Sequence, residues 1–161
     1  MAKRSFTKGW AFERKVAKIF RAWGGEGFER SAGSGNSPRT SAIADLNRPT
    51  WFRFAIECKD SESWNWSQVV RGMGEWPQWW AKLQDQAPEG WLVFTRNREP
   101  IYVAVPWMAS AEIRHDHAIT PLAALMAPEC DVFLLETLLA AVDPEWFKTQ
   151  PEGRWHDCIP F

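Results

Sequence analysis

Glu57 and Lys59 lie two residues apart in a stretch that alternates, with Phe52, Phe54, Ile56 and Cys58 on one side and Arg53, Ala55, Glu57 and Lys59 on the other. Such alternation predicts a β-strand, so the carboxylate and the ammonium share one face. Metal-dependent phosphodiester hydrolysis can use that combination. A divalent cation polarises the phosphoryl oxygen and acidifies an attacking water, and a hard cation such as Mg²⁺ takes carboxylate oxygens. Glu57 is then a metal ligand, while Lys59 orients the water or offsets developing charge. The main-chain carbonyl of Cys58 is a candidate extra ligand. Asp45, shortly before the strand, can supply a second carboxylate from a neighbouring strand of a hairpin.

A fourth acidic residue belongs to an earlier element. Phe12, Val16, Ile19, Phe20 and Trp23 recur at helical spacing, which predicts an amphipathic helix capped by Ser5 or Thr7 and stopped by Gly24 and Gly25. Val16, Ala17 and Phe20 follow Glu13 by three, four and seven residues, so Glu13 lies at or beside the buried face. A carboxylate there is costly unless it binds a metal or a cation. An ion pair with Lys59 or with a neighbour of Arg14 is the plain structural alternative. Arg14, Lys18 and Arg21 form a stripe on another face, suited to a phosphate backbone or simply to solvent.

The remaining chain predicts a short strand near 27–30, a Ser/Gly-rich loop over 31–42, and extended chain over 43–46. Helix over 67–84 is interrupted by Gly72, Gly74 and Pro77; strands at 91–95 and 101–105 form a hairpin; a last helix spans 128–142; the tail from Asp143 packs without regular structure. His115 and His117 fall on an exposed turn, and they and His156 are left out of the site.

The 161 residues fit one domain with a real core, 45% of them hydrophobic. No apolar run is long enough to span a membrane and no signal-peptide pattern opens the chain, so a cytoplasmic protein is expected. Cys58, Cys130 and Cys158 have neither the even count nor the spacing of a disulfide or zinc framework. Net charge is only −1, which argues against strong phosphate binding, but the charge is uneven. Residues 1–59 carry twelve Lys/Arg against five Asp/Glu, net +7, and the remainder is net −8. The basic half holds every candidate site residue, a hint of nucleic-acid contact.

Three segments, KGWAFERKVAKIF, ERSAGSG and AIECK, resemble the archaeal-type Holliday junction resolvases of the PD-(D/E)XK nuclease superfamily, over about residues 8–59. The resemblance carries that family's helix glutamate to Glu13 and its arginine to Arg14. Its Arg-Ser-Ala-Gly-Ser element, associated with DNA contact and activity, falls on Arg30, Ser31, Ala32, Gly33 and Ser34. The metal-binding aspartate falls on Asp45, the E-x-K on Glu57 and Lys59, and a supporting glutamine on Gln68. Ala44 stands where the family's proline usually precedes the aspartate.

The resemblance implies an α/β fold, with a PD-(D/E)XK nuclease-like central mixed sheet flanked by helices over about residues 5–106; beyond the resemblance, a C-terminal helical extension is expected over about 107–161. The resemblance also implies a homodimer, with a phage as one candidate source, that resolves four-way DNA junctions by paired nicks with Mg²⁺, or Mn²⁺ in its place, leaving 5′-phosphates. The competing expectations are a restriction or repair endonuclease of the same fold, or a DNA-binding module with an inactive site. Trp76, Trp79 and Trp80 belong to the core or to a subunit interface, and Trp64 and Trp66 are candidates for stacking on unpaired bases.

Overall fold

The computed structural model describes residues 2–32, 44–126 and 128–149, and, of the first five of these, the backbone alone. Helix α1 spans Ala2–Gly24. It buries Phe12, Val16, Ala17 and Phe20, as the periodicity predicts, and exposes Arg14, Lys18 and Arg21. It starts earlier than expected, so Thr7 lies inside the helix and not at its cap. At its end Gly25 adopts φ +86°, a left-handed conformation natural to glycine, and its N–H bonds the Arg21 carbonyl at 2.9 Å.

Strands β1 (Glu29–Arg30) and β2 (Leu46–Asn47) form a short antiparallel pair. Strand β3 (Ile56–Asp60) is the edge of a five-stranded sheet ordered β3-β4-β5-β7-β6, with β4 at Trp91–Thr95, β5 at Tyr102–Pro106, β6 at Ala123–Met126 and β7 at Glu129–Leu134. β3 and β4 are parallel and every other pairing is antiparallel, giving a mixed sheet. A parallel pair needs a crossover, supplied by α2 (Trp66–Val70) and α3 (Trp76–Gln86), broken apart at Gly72 and Gly74 as the sequence predicts.

Strand alternation divides the core into two layers. Trp91, Val93, Val103, Val105 and Phe133 face the layer that holds Phe12, Phe20 and the 52–58 segment. Leu92, Phe94, Tyr102, Ala104 and Val132 face the layer of Trp64, Trp76, Trp80 and Leu83. Trp76 and Trp80 are thus core residues with stacked rings 6.0 Å apart, and Trp79 is half-buried against them. Trp64 is buried and donates its indole N–H to the Thr95 carbonyl at 3.2 Å, so it is not available to a base.

Three expectations for the C-terminal half are corrected. Where one helix over 128–142 was expected, β7 precedes α5 (Leu135–Ala141), because Asp131–Phe133 are buried between two layers while only the second half meets a single face. Residues 107–117 form α4, with His115 and His117 in its last turn and not on a turn between elements; His156 lies outside the described residues. The tail forms α6 (Pro144–Thr149), which buries Phe147 against Phe52 with ring centroids 5.3 Å apart. The C-terminal segment is therefore not purely helical: it contributes β6 and β7 to the sheet. Among the described residues, no helix is long and apolar enough to cross a membrane.

Candidate active site

Main-chain hydrogen bonds fix Asp45 between two elements. Its N–H donates to the Ile56 carbonyl at 3.1 Å, and its carbonyl accepts from the Ser31 N–H at 2.8 Å. The β2 end is thereby laid along the free edge of β3. There the Cys58 N–H donates to Asp45 Oδ2 at 2.8 Å. A strand residue directs its own N–H and C=O to the same edge, so the Cys58 carbonyl also faces the Asp45 side. The Cys58 side chain is buried, and its thiol pKa is pushed well up by that burial and by the Asp45, Glu57 and Glu13 carboxylates. It stays a neutral thiol, which leaves the carbonyl as its available ligand.

On the other side of the strand, Lys59 Nζ donates to Glu57 Oε1 at 2.5 Å. Burial works to lower the Lys59 pKa, but the charge and hydrogen bond of Glu57 outweigh it, so the pKa is raised. At neutral pH Lys59 is an ammonium and not a general base. The Asp45 carboxyl is pushed up to about 7, first by burial and then by the charge of Glu57, against the Cys58 amide and Lys59, which draw it down; Glu13 adds a smaller push. Glu13, Asp45, Glu57 and Lys59 thus share one electrostatic neighbourhood.

Glu13 is only 8% exposed. It forms an ion pair with Arg30, whose Nε donates to Glu13 Oε2 at 2.6 Å, and the Arg30 guanidinium lies 4.8 Å from the Trp10 ring centroid. No local sequence signal reveals this pair, since it forms only once β1 is laid against α1. A second tie missed from sequence joins Lys8 to Asp60 at 2.9 Å and clamps α1 to the end of β3.

Other candidates stand further from this chemistry. Ser31 is buried beside Asp45, whereas Ser34 lies outside the described residues. Arg14 and Lys18 are exposed, and Arg21 donates to the Phe28 carbonyl at 2.9 Å. Gln68 closes a reciprocal cap at the start of α2: its N–H donates to Asn65 Oδ1 at 3.0 Å and its Oε1 accepts from the Asn65 N–H at 3.1 Å. That engagement gives Gln68 a structural role.

Residues 4–147 match the family described as phage putative PDDEXK endonuclease. The chain belongs to that family. It is therefore a PD-(D/E)XK-type endonuclease of phage origin, and the match runs from α1 through β7 into α6, well past the 8–59 segment that carries the resolvase resemblance. The family assignment does not extend to the junction-resolving type. No curated protein and no solved structure matches the chain.

PD-(D/E)XK nucleases usually use divalent metals. Among the described residues, no three His, Cys, Asp or Glu side chains are grouped closely enough to hold a metal. The donors that do converge are two carboxylates, Asp45 and Glu57, close enough for one to raise the pKa of the other, together with a carbonyl on the same edge. Such a set of oxygen donors, carrying two carboxylates, fits a hard cation.

The Asp45 shift makes stability depend on pH. The ordinary carboxyl value is 3.8, so the folded chain holds a proton that the unfolded chain has released, and stability falls as pH rises from about 4 to about 7. Asp45→Asn keeps an acceptor for the Cys58 amide and removes the charge. The chelator-treated variant should melt above wild type at pH 8 and level with it near pH 4, by a margin on the order of a few kcal/mol. Divalent cation should raise the wild-type melting temperature at pH 8 and leave that of Asp45→Asn nearly unchanged; thermal scans at the two pH values check both results.

Proposed function

We propose that this chain is a divalent-metal-dependent endonuclease that cuts four-way DNA junctions, with Glu13, Asp45, Glu57 and Lys59 as its active site. The observation that carries the reading is the meeting of Asp45, Glu57 and the Lys59 ammonium at the free edge of β3. Held by Asp45, Glu57 and the Cys58 carbonyl, a Mg²⁺ ion, or Mn²⁺ in its place, would polarise the phosphoryl oxygen and acidify a bound water.

The protein's own groups do the rest. Lys59 presents a fixed positive charge to the phosphate as its charge grows, and Glu57 keeps that ammonium aimed along the strand face. The Cys58 amide fixes the Asp45 carboxylate against rotation. Arg30, tied to Glu13, anchors the first residue of the Arg30–Ser34 element beside Asp45, where hydroxyls and main-chain amides can meet phosphates next to the scissile bond. Arg14 and Lys18, exposed on α1, extend the phosphate contact.

The choice of a junction rests on the match of Arg30–Ser34 and the α1 motif to the resolvases. Two symmetric cuts call for a two-fold homodimer, which light scattering would detect. A restriction or repair endonuclease is the second reading, favoured by the breadth of the family description. Cleavage of a synthetic four-way junction beside a linear duplex of the same sequence, with and without Mg²⁺, separates the two. The proposal expects strong preference for the junction; equal cutting of both favours the second reading. Replacing Arg30 and Ser34 together by alanine should cut the single-turnover rate far more than it weakens junction binding. A near-wild-type rate would make the element a passive connector.

A further inference from the structure

A groove of about 820 Å³ is lined by Ala44 and Leu46, the residues on either side of Asp45. Ser31, whose N–H bonds the Asp45 carbonyl, also lines it. Arg48, Thr50 and Arg53 line one wall, and Gln86–Pro88, at the end of α3, line the other.

Both walls are held firmly. The Phe52 N–H bonds the Pro49 carbonyl at 3.0 Å, and Phe52 is fully buried among Phe20, Phe28, Trp91 and Phe147. Opposite, Gln84 binds the Glu89 N–H at 3.1 Å and the Gly90 carbonyl at 2.9 Å. A side chain at position 90 would meet the Ala87 carbonyl oxygen at 2.9 Å as well as Leu83, so glycine suits that turn.

The charge of the lining is one-sided. It includes two arginines and no acidic residue, in a chain whose net charge is −1. The charge of Arg53 is partly balanced by Glu89 and Glu112. Arg48 is exposed, and among the described residues no carboxylate lies within ion-pair distance of it. Protein packed round its guanidinium lowers its pKa, with no opposing anion. An exposed arginine with no carboxylate partner among the described residues, lining a groove whose wall includes the residues on either side of Asp45, is suited to a phosphate.

We propose that this groove holds the DNA strand leading to the scissile phosphate, and that Arg48 is its phosphate-contacting residue. The assignment rests on the nuclease reading for the chemistry at Asp45, but it concerns binding and can be measured without cleavage. Fluorescein-labelled single-stranded and duplex oligonucleotides, titrated without divalent cation over a range of salt, report the dissociation constant and its salt slope. Arg48→Glu should weaken binding about tenfold or more and reduce the slope by about one. Arg48→Gln, run beside it, should shift both in the same direction by less. The side chain is exposed, so both variants should keep the wild-type melting temperature.

Unchanged affinity and slope in both variants would overturn the groove assignment, as would wild-type protein that binds neither oligonucleotide. The two readings fail separately. Wild type that cuts DNA while Arg48→Glu binds normally refutes the groove and leaves the nuclease standing. Loss of binding in Arg48→Glu, with wild type never cutting, does the reverse.

Discussion

Glu57→Gln and Asp45→Asn should each abolish DNA cleavage while junction binding stays as tight as wild type or tighter. Each change removes a hard-oxygen ligand, and a neutral amide is a poor substitute for a carboxylate in holding a divalent cation. Each also removes a negative charge from the surface that must face DNA phosphates, which favours binding. The substitutions are nearly isosteric, so β3 and its bonds to Asp45 should persist. Single-turnover cleavage and a dissociation constant measured on one junction substrate check both halves. Full activity in either variant would remove that residue from the site.

Lys59→Ala should lower the cleavage rate on the order of 10²-fold or more, the loss expected when one preorganised charge facing the transition state is removed. Its raised pKa keeps Lys59 charged across the neutral range, so the loss should vary little between pH 6 and 9. Metal binding followed by calorimetry should survive, because the ammonium is not a ligand. Metal binding lost together with activity would mean that Lys59 acts by holding Glu57 in place. The 2.5 Å pair makes that distinction worth measuring.

Much of this site was legible in the sequence because its parts are periodic. Phe52, Phe54, Ile56 and Cys58 are all buried as the alternation requires, and that pattern alone sets Glu57 and Lys59 on one face. The apolar spacing of α1 placed Glu13 at the buried edge, where it lies. Its partner was not legible, because Arg30 is seventeen residues away and reaches Glu13 only through the packing of β1 on α1. The Arg48 groove was hidden for the same reason: its walls come from 44–55 and 86–88, which only the β3–β4 crossover brings together.

The errors in the C-terminal half have a common cause. CDVFLLETLLAAV is apolar almost throughout, and a continuous apolar run does not distinguish a strand buried on both faces from a helix. α4 escaped notice because its buried face is made of Ala109, Ser110 and Ile113, too small and polar to mark a stripe. Trp64 looked available for base stacking because tryptophan favours nucleic-acid surfaces, but the crossover turns it inward over Phe94, with ring centroids 5.0 Å apart.

Dependence of strand cleavage on divalent cation tests the central claim most directly. Wild-type protein is incubated with a four-way junction and with supercoiled DNA, in Mg²⁺, in Mn²⁺ and in excess chelator, and the ends are mapped. The account predicts nicks bearing 5′-phosphates in either metal, none in chelator, and none from Asp45→Asn in any arm. Folded protein that leaves both substrates intact in both metals, or that nicks equally well in chelator, would contradict it.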